Sequence, residues 1–304
     1  MPKTIKLVLM LGIAAMLLNA CGTNTNLTPP DDDDVLLFGS DSTLEVVTWN
    51  LRTFPLSEGS LQTIAQVIVE MEADVIAFQE IMDYQAFYDL ADLVPHYEAL
   101  VYDATSSYRL AYLYDSRVVQ VVDSYTIFTA DTNPFPRAPY ILEFIFQGSN
   151  YAVINNHLKA YGDNFIDESD PWDEEYRRRL ACQMLEQYIS ENLADDKVIV
   201  VGDFNDQIAE PVEYNVFQSF LDKPAEYAFA DMGIALNPTY QSVSYPSYLS
   251  HIDHVLITNE LFSSLEQAGS ECRVINVEEY LGSWQNYADQ VSDHRPLGLK
   301  LVVN

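Results

Sequence analysis

The stretch Lys197-Val198-Ile199-Val200-Val201-Gly202-Asp203-Phe204-Asn205-Asp206 decides how this chain is read. Four consecutive β-branched aliphatic residues describe a strand covered on both faces, because a half-buried strand alternates apolar and polar side chains. Gly202 permits a tight turn. Asp203 and Asn205, two positions apart, can point to the same side and flank one small group. A plain polar loop uses the same residue types, so the stretch gains meaning only from its neighbours.

Working outward, a polar cluster at a strand boundary recurs five more times. A β-rich run at 45–49 ends at Asn50, and an apolar strand at 74–78 ends at Gln79-Glu80. Tyr151-Ala152-Val153-Ile154 runs into Asn155-Asn156-His157-Leu158-Lys159. Ser250-His251-Ile252-Asp253-His254 opens a strand to residue 258, and Ser292-Asp293-His294-Arg295-Pro296 precedes the last one at 297–303. Strands at 109–114 and 118–122 read as a pair around Asp115-Ser116, and 140–146 with 151–155 as a hairpin. Apolar residues at helical spacing after Ser60, a candidate N-cap, predict a helix to Met71. Helices follow at 83–93 and 174–191, the last with Leu180, Met184, Leu185 and Tyr188 on one face. Strands and helices mix along one domain, as in an α/β fold of two packed sheets with helices outside. Strand ends are where such folds place ligands.

Each cluster has a chemical reading and a bland one. Asn50 suits a phosphate oxygen or steadies a carboxylate; it equally suits a turn. Glu80, ending a buried strand, is a hard ligand for Mg²⁺ or Mn²⁺; alone, it reads as a solvated acid. His157 can donate to a phosphate oxygen and Lys159 can neutralise it, or they are a core histidine and an exposed lysine. His251 and His254 around Asp253 suggest zinc, but no cysteine is near and the spacing fits no common zinc pattern. Asp293 and His294, adjacent on an extended chain, face opposite ways and do different work.

In this order, the clusters resemble the endonuclease/exonuclease/phosphatase superfamily, over about residues 44–303. Gly202-Asp203-Phe204-Asn205 and Ser292-Asp293-His294-Arg295-Pro296 are its most specific pieces, and Phe135-Pro136-Arg137-Ala138-Pro139 resembles its phosphate-touching arginine loop. The resemblance implies a deoxyribonuclease-I-like four-layer sandwich of two packed mixed β-sheets flanked by helices. It implies Mg²⁺ (or Mn²⁺) held mainly by Glu80, with Asn50 and Asp293 in support. It implies that Asp203 and Asn205 orient water and phosphate, and that Asp253 holds His294. It also implies that His157 and Arg137 meet the charge developing on phosphate, with Lys159 beside them. Two features depart from the pattern. Members of the deoxyribonuclease I type pair the histidine corresponding to His157 with an acid one strand earlier, and Arg109-Leu110-Ala111 carries none. Nor is there a basic patch of the kind that holds a duplex.

The amino-terminal end reads as a targeting segment. Lys3 and Lys6 precede a twelve-residue apolar run at 7–18, too short for an ordinary membrane span, and Ala20-Cys21-Gly22 resembles a bacterial lipobox. The expectation is a signal peptide at 1–20, a lipidated Cys21 with an acidic tether at 21–43, and the folded domain at 44–304. A plain signal peptide with an incidental cysteine is the simpler alternative. The protein would then be anchored at the cell envelope, facing periplasm or exterior. Cys182 and Cys272 form one disulfide there or stay as thiols.

The 304 residues carry a formal net charge of −31. Such a field repels nucleic acid and anionic membranes in general, so cations near the motifs, such as Arg52, Arg137 and Lys159, are informative by position. The leading reading is a metal-dependent phosphodiesterase or nuclease acting outside the cytoplasm. The second is a phosphatase or sphingomyelinase-like phospholipase on small or lipid phosphates, and the third a non-catalytic binding lipoprotein. The loops at 161–172 and 235–248 are expected to shape specificity.

Overall fold

Side chains alternate across a strand, and along this chain the alternation sorts the apolar residues into three clusters that define four layers. The computed structural model describes residues 36–102 and 108–303. One six-stranded sheet has the order β11-β12-β1-β2-β4-β3. Its strands are β1 (Thr43–Phe54), β2 (Val75–Ile81), β3 (Tyr97–Val101), β4 (Arg109–Asp115), β11 (Glu271–Val274) and β12 (Leu297–Val302). The other has the order β5-β6-β7-β8-β10-β9. It comprises β5 (Gln120–Thr126), β6 (Tyr140–Phe146), β7 (Ser149–His157), β8 (Lys197–Asp203), β9 (Tyr227–Phe229) and β10 (Asp253–Thr258). Both sheets are mixed: β1 runs parallel to β2 and β7 parallel to β8, while the other pairings are antiparallel.

The inner faces meet in one core. Leu44 and Val46 of β1, Val75 and Ala77 of β2, Val153 of β7, Ile199 and Val201 of β8, and Val255 and Ile257 of β10 are buried together there. Val198 and Val200 face the other way, onto helix α3 (Glu174–Asn192), which explains the unbroken aliphatic run of β8. On the far side, Val47 and Trp49 pack with Ile64, Ile68 and Met71 of α1 (Ser60–Met71) and Phe87 and Leu90 of α2 (Tyr84–Leu93). The four-layer sandwich expected from the sequence is therefore the observed architecture.

Several local expectations are corrected. Residues 109–114 and 118–122 do not pair: β4 and β5 belong to different sheets, so the short link at Asp115-Ser116 is a crossover. Its Asp115 carbonyl accepts from the amides of Val118 and Val119, turning the chain out of one sheet. Gly59, not Ser60, is the N-cap of α1; the Ser60 hydroxyl instead donates to the Gln290 carbonyl at 2.7 Å. The buried face of α3 is Ala181, Cys182, Leu185 and Ile189, with Leu180, Met184 and Tyr188 only half-buried. The cause is Arg178, which turns inward to meet Asp206 and the carbonyls of Lys159 and Tyr161, each at 2.7 Å. Packing also begins before residue 44: Leu36 and Phe38 are buried, and Gly298 leaves room for the Phe38 ring, so residues 36–43 belong to the domain rather than the tether. Cys182 and Cys272 are free thiols. Cys21 and the rest of the signal and tether expectation lie outside the described residues, among which no helix is long and apolar enough to cross a membrane.

Buried polar side chains bolt the two sheets together. The Gln79 amide of β2 donates to Asn155 Oδ1 of β7 at 2.8 Å. Asn155 in turn donates to the carbonyls of Phe78 at 3.0 Å and Ala111 at 3.2 Å in the opposite sheet. Tyr112 adds a second bolt, its hydroxyl lying 2.7 Å from the Tyr140 carbonyl and 2.9 Å from that of Val153. Truncating Asn155 strands three polar partners in a dry core, so Asn155→Ala is expected to lose about 2–3 kcal/mol of stability. Urea unfolding followed by circular dichroism measures it; an unchanged midpoint would remove the amide bridge from the account of the fold.

Candidate active site

The inner-face alternation that builds the core also builds the site. Residues 46, 48 and 50 of β1, 153, 155 and 157 of β7, and 199, 201 and 203 of β8 share the inner phase. Each series is apolar at depth and ends in Asn50, His157 or Asp203. His157 pairs with Asp203 in the β7–β8 register, and Asp253 pairs with Asp203 in the β8–β10 register. The strand ends therefore converge on one cavity of about 710 Å³, lined by Arg52, Glu80, Arg137, His157, Asp203, Asn205, Asp293 and His294 among others.

Local backbone geometry aims these groups. Gly202 has φ +143°, and a Cβ there would lie 2.0 Å from the Asn156 carbonyl oxygen, so only glycine lets β8 run this close to β7. Arg52, Thr53, Glu80 and Asn205 all adopt positive φ. At β1 and β2 this coincides with register breaks between Asn50 and Phe54 and between Phe78 and Ile81. Such bulges re-aim side chains at active sites, and here they turn Glu80 toward the cavity.

Asp203 is the hub. The Asn50 amide donates to its Oδ2 at 3.0 Å and reaches Glu80 Oε1 at 3.3 Å. Asn50 Oδ1 accepts from the Arg52 backbone N–H at 2.8 Å, which fixes the orientation of the side chain. Asn50 thus steadies two carboxylates through its side-chain N–H groups. Asn205 donates its backbone N–H to Asp203 Oδ1 at 2.9 Å. Burial pushes the Asp203 carboxyl well above the usual carboxylate range, with the Asp253 charge adding to it and His294 and Asn50 opposing.

The two histidines differ in protonation. His294 Nδ1 lies 2.8 Å from Asp253 Oδ2, and its Nε2 lies 3.9 Å from Asp203 Oδ2. Burial disfavours the imidazolium, but the charges of Asp253 and Asp203 outweigh it and raise His294 to about 10. His157 Nε2 stands 3.6 Å from Asp203 Oδ2 and 3.9 Å from Glu80 Oε1, and its Nδ1 has no hydrogen-bond partner. Burial first, then Arg137 and His294, hold its pKa well below the ordinary value. With no acid at 109–111 to meet its Nδ1, His157 has its charged form disfavoured and turns Nε2 toward Asp203 and Glu80.

Arg137 donates to the Leu158 carbonyl at 3.2 Å, lies 5.4 Å from the centre of the Tyr108 ring, and forms no ion pair among the described residues. Lys159 differs from expectation. Its ammonium pairs with Glu174 at 3.4 Å and packs on the Tyr161 ring, and it is not among the groups lining the cavity. Asp293 does line it, with Arg52 3.6 Å away. Glu80 is held through one oxygen by the Thr53 amide at 2.9 Å and keeps the other toward the cavity. Glu80, Asp203 and Asp293 are hard oxygen donors around one space, a set that fits Mg²⁺ or Mn²⁺.

The zinc-like group of His251, Asp253 and His254 does not assemble: Asp253 turns to His294, and the two histidines meet Asp231 instead. His254 donates Nε2–H to the Asp206 carbonyl at 2.8 Å and Nδ1–H to Asp231 at 2.6 Å, so both ring nitrogens carry protons. His251 accepts at Nδ1 from the Ser244 amide and turns Nε2 to Asp231 at 3.0 Å. The cluster is an ion pair that braces the loop after Asp203, and Asp231 is the member that lies too far from any motif to be found by sequence reading. Tyr108 was also missed, while Tyr245 and Tyr248 lie within the loop at 235–248 expected to shape specificity but were not singled out. The run Tyr245-Pro246-Ser247-Tyr248, next to Ser250-His251, was the available signal.

The two sheets and this convergent acid–histidine cavity define a class of hydrolytic enzyme scaffold. The profile of the Endonuclease/Exonuclease/phosphatase family matches residues 47–294. The chain belongs to that family. Among solved structures, the human Nocturnin catalytic domain with bound sulfate is 16% identical with a TM-score of 0.62, covering 86% of this chain and 94% of its own. A Bacteroides vulgatus endonuclease/exonuclease/phosphatase is 16% identical at a TM-score of 0.61, covering 86% and 99%. D. rerio TDP2 complexed with single-strand DNA product is 15% identical at 0.59, covering 86% and 100%. These likenesses speak for the fold. No curated protein matches the sequence significantly.

The raised affinity of His294 for its proton rests on the Asp253 carboxylate. In Asp253→Asn that charge is gone, so the His294 midpoint should fall. NMR titration of the imidazole Cε1–H signal checks this; a midpoint unmoved by the substitution would break the pairing of the two residues.

Proposed function

We propose that this protein is a divalent-metal-dependent phosphodiesterase acting at the cell envelope, outside the cytoplasm. The observation that supports it is the convergence of Glu80, Asp203, His157 and His294, the last backed by Asp253, on one cavity that also holds Arg137. A phosphate seated there meets the neutral Nε2–H of His157, the Arg137 guanidinium and the imidazolium of His294. These donors are fixed before the reaction begins, which is the condition for stabilising charge that grows in the transition state. Asp203, with its proton affinity raised toward neutrality, takes a proton from the attacking water. Asn50 and the Asn205 amide hold that carboxylate in place. Glu80 and Asp293 would hold a divalent ion, which when bound neutralises the non-bridging oxygens.

A second reading, a phosphatase of small phosphate esters, draws on the shortage of cations: among the described residues, Arg52 and Arg137 are the cavity's arginines or lysines, in a chain with net charge −31. Assay of the soluble domain with Mg²⁺, with Mn²⁺ and with chelator separates the two. Bis-p-nitrophenyl phosphate should be cleaved only with metal, and Asp203→Asn should lower kcat by about 10²–10⁴-fold. Cleavage restricted to p-nitrophenyl phosphate would favour the phosphatase, and silence on both would refute hydrolysis of phosphate esters at this site.

The envelope location is carried by the sequence around Cys21. Cells expressing the full chain and fed a labelled fatty acid should yield a labelled protein. Cys21→Ser should abolish the label and release the protein from the membrane fraction; label retained in that variant would overturn the anchor.

A further inference from the structure

The rim of the cavity carries aromatic rings for which the hydrolytic chemistry has no use. Tyr161 is 86% exposed and Tyr248 is 73% exposed, although both line the cavity. Neither ring hangs loose. The Lys159 ammonium sits 5.4 Å from the centre of the Tyr161 ring. Tyr248 stacks on Tyr245 at 5.2 Å with planes 14° apart, and Tyr245 lies 4.7 Å from the His294 ring. Each exposed ring thus has a neighbouring group against one face.

Their placement follows from topology. Tyr161 lies in the loop leaving β7, and Tyr245 and Tyr248 lie in the loop entering β10. Both strands flank β8, whose last residue is Asp203. The rings therefore stand on the two sides of the reacting phosphate. Aromatic faces held this way beside a phosphate site stack planar groups, and base stacking tolerates any sequence. Among the described residues the aliphatic lining amounts to Ala160 and Ile252, which offer an acyl chain little wall to lie on. Two lining arginines and a net charge of −31 disfavour a long polyanion.

Building on the phosphodiesterase reading, we propose that Tyr161 and Tyr248 are specificity-determining residues that stack the bases flanking the scissile phosphate of a short, single-stranded nucleic acid. The site then selects its substrate by planar groups near the phosphate and not by a charged groove.

The test compares a short thymidine strand of about four nucleotides with a strand of equal length and charge whose sugars lack bases. In the unaltered protein kcat/KM should favour the base-bearing strand by about tenfold or more. The preference should shrink in Tyr161→Ala and Tyr248→Ala, vanish in the double variant, and survive in Tyr248→Phe, which keeps the ring. No preference in the unaltered protein, or a preference kept by the double alanine variant, overturns the proposal. If neither strand is cleaved, the phosphodiesterase reading fails by itself. Equilibrium binding of the same two strands, read by fluorescence anisotropy, then decides the stacking proposal on the same criterion of base preference.

Discussion

A site divided between two sheets depends on the sheets staying in register. Asn50 and Glu80 come from one sheet, His157, Asp203 and Asp253 from the other, and the bond from Asn50 to Asp203 spans the gap. Apolar packing alone sets spacing but tolerates sliding, because it is non-directional. The Gln79–Asn155 bridge, two strand positions below His157 and close beneath the cavity, supplies direction. A buried amide pair has one good geometry and costs heavily in any other. It fixes the floor on which every distance in the site stands.

Above that floor, charge is arranged in tiers. Asp203 sits between the His294 imidazolium and the neutral His157, and the Arg178–Asp206 and His254–Asp231 pairs brace the loop behind it. Buried pairs of this kind contribute little net stability, since desolvation offsets their attraction. Their value here is positional. Arg178 binds the carbonyls of Lys159 and Tyr161, and His254 binds that of Asp206, so the loops after β7 and β8 are tied to one buried network.

Much of this was legible in the sequence because strand periodicity is a local property. Residues 198–203 showed a doubly covered strand ending in a carboxylate, and the structure places Asp203 on the inner face for that reason. The clusters at Glu80, His157, Asp253 and His294 were legible in the same way, as polar groups closing apolar strands. What failed needed three-dimensional information. Whether β4 turns back on itself or crosses to the other sheet is set by packing, not by residues 115–119. The inward turn of Arg178 depends on Asp206, 28 positions away. Lys159 is drawn to Glu174 by a helix whose position no motif records. Asn50 lies at the expected place, but only its contact with the Arg52 amide shows which end of the side chain faces the carboxylates.

Glu80, His157, Asp203 and Asp253 sit in or at the ends of strands, held by the sheets, whereas the rim tyrosines sit on connecting loops. Under the proposed roles, chemistry and recognition fall to separately replaceable parts. A lineage carrying this scaffold can lengthen, shorten or exchange the loops before β10 and after β7 and acquire a new diet without reinventing the reaction. The same partition gives a protein engineer a natural cut line, since transplanted rims inherit a working catalytic floor.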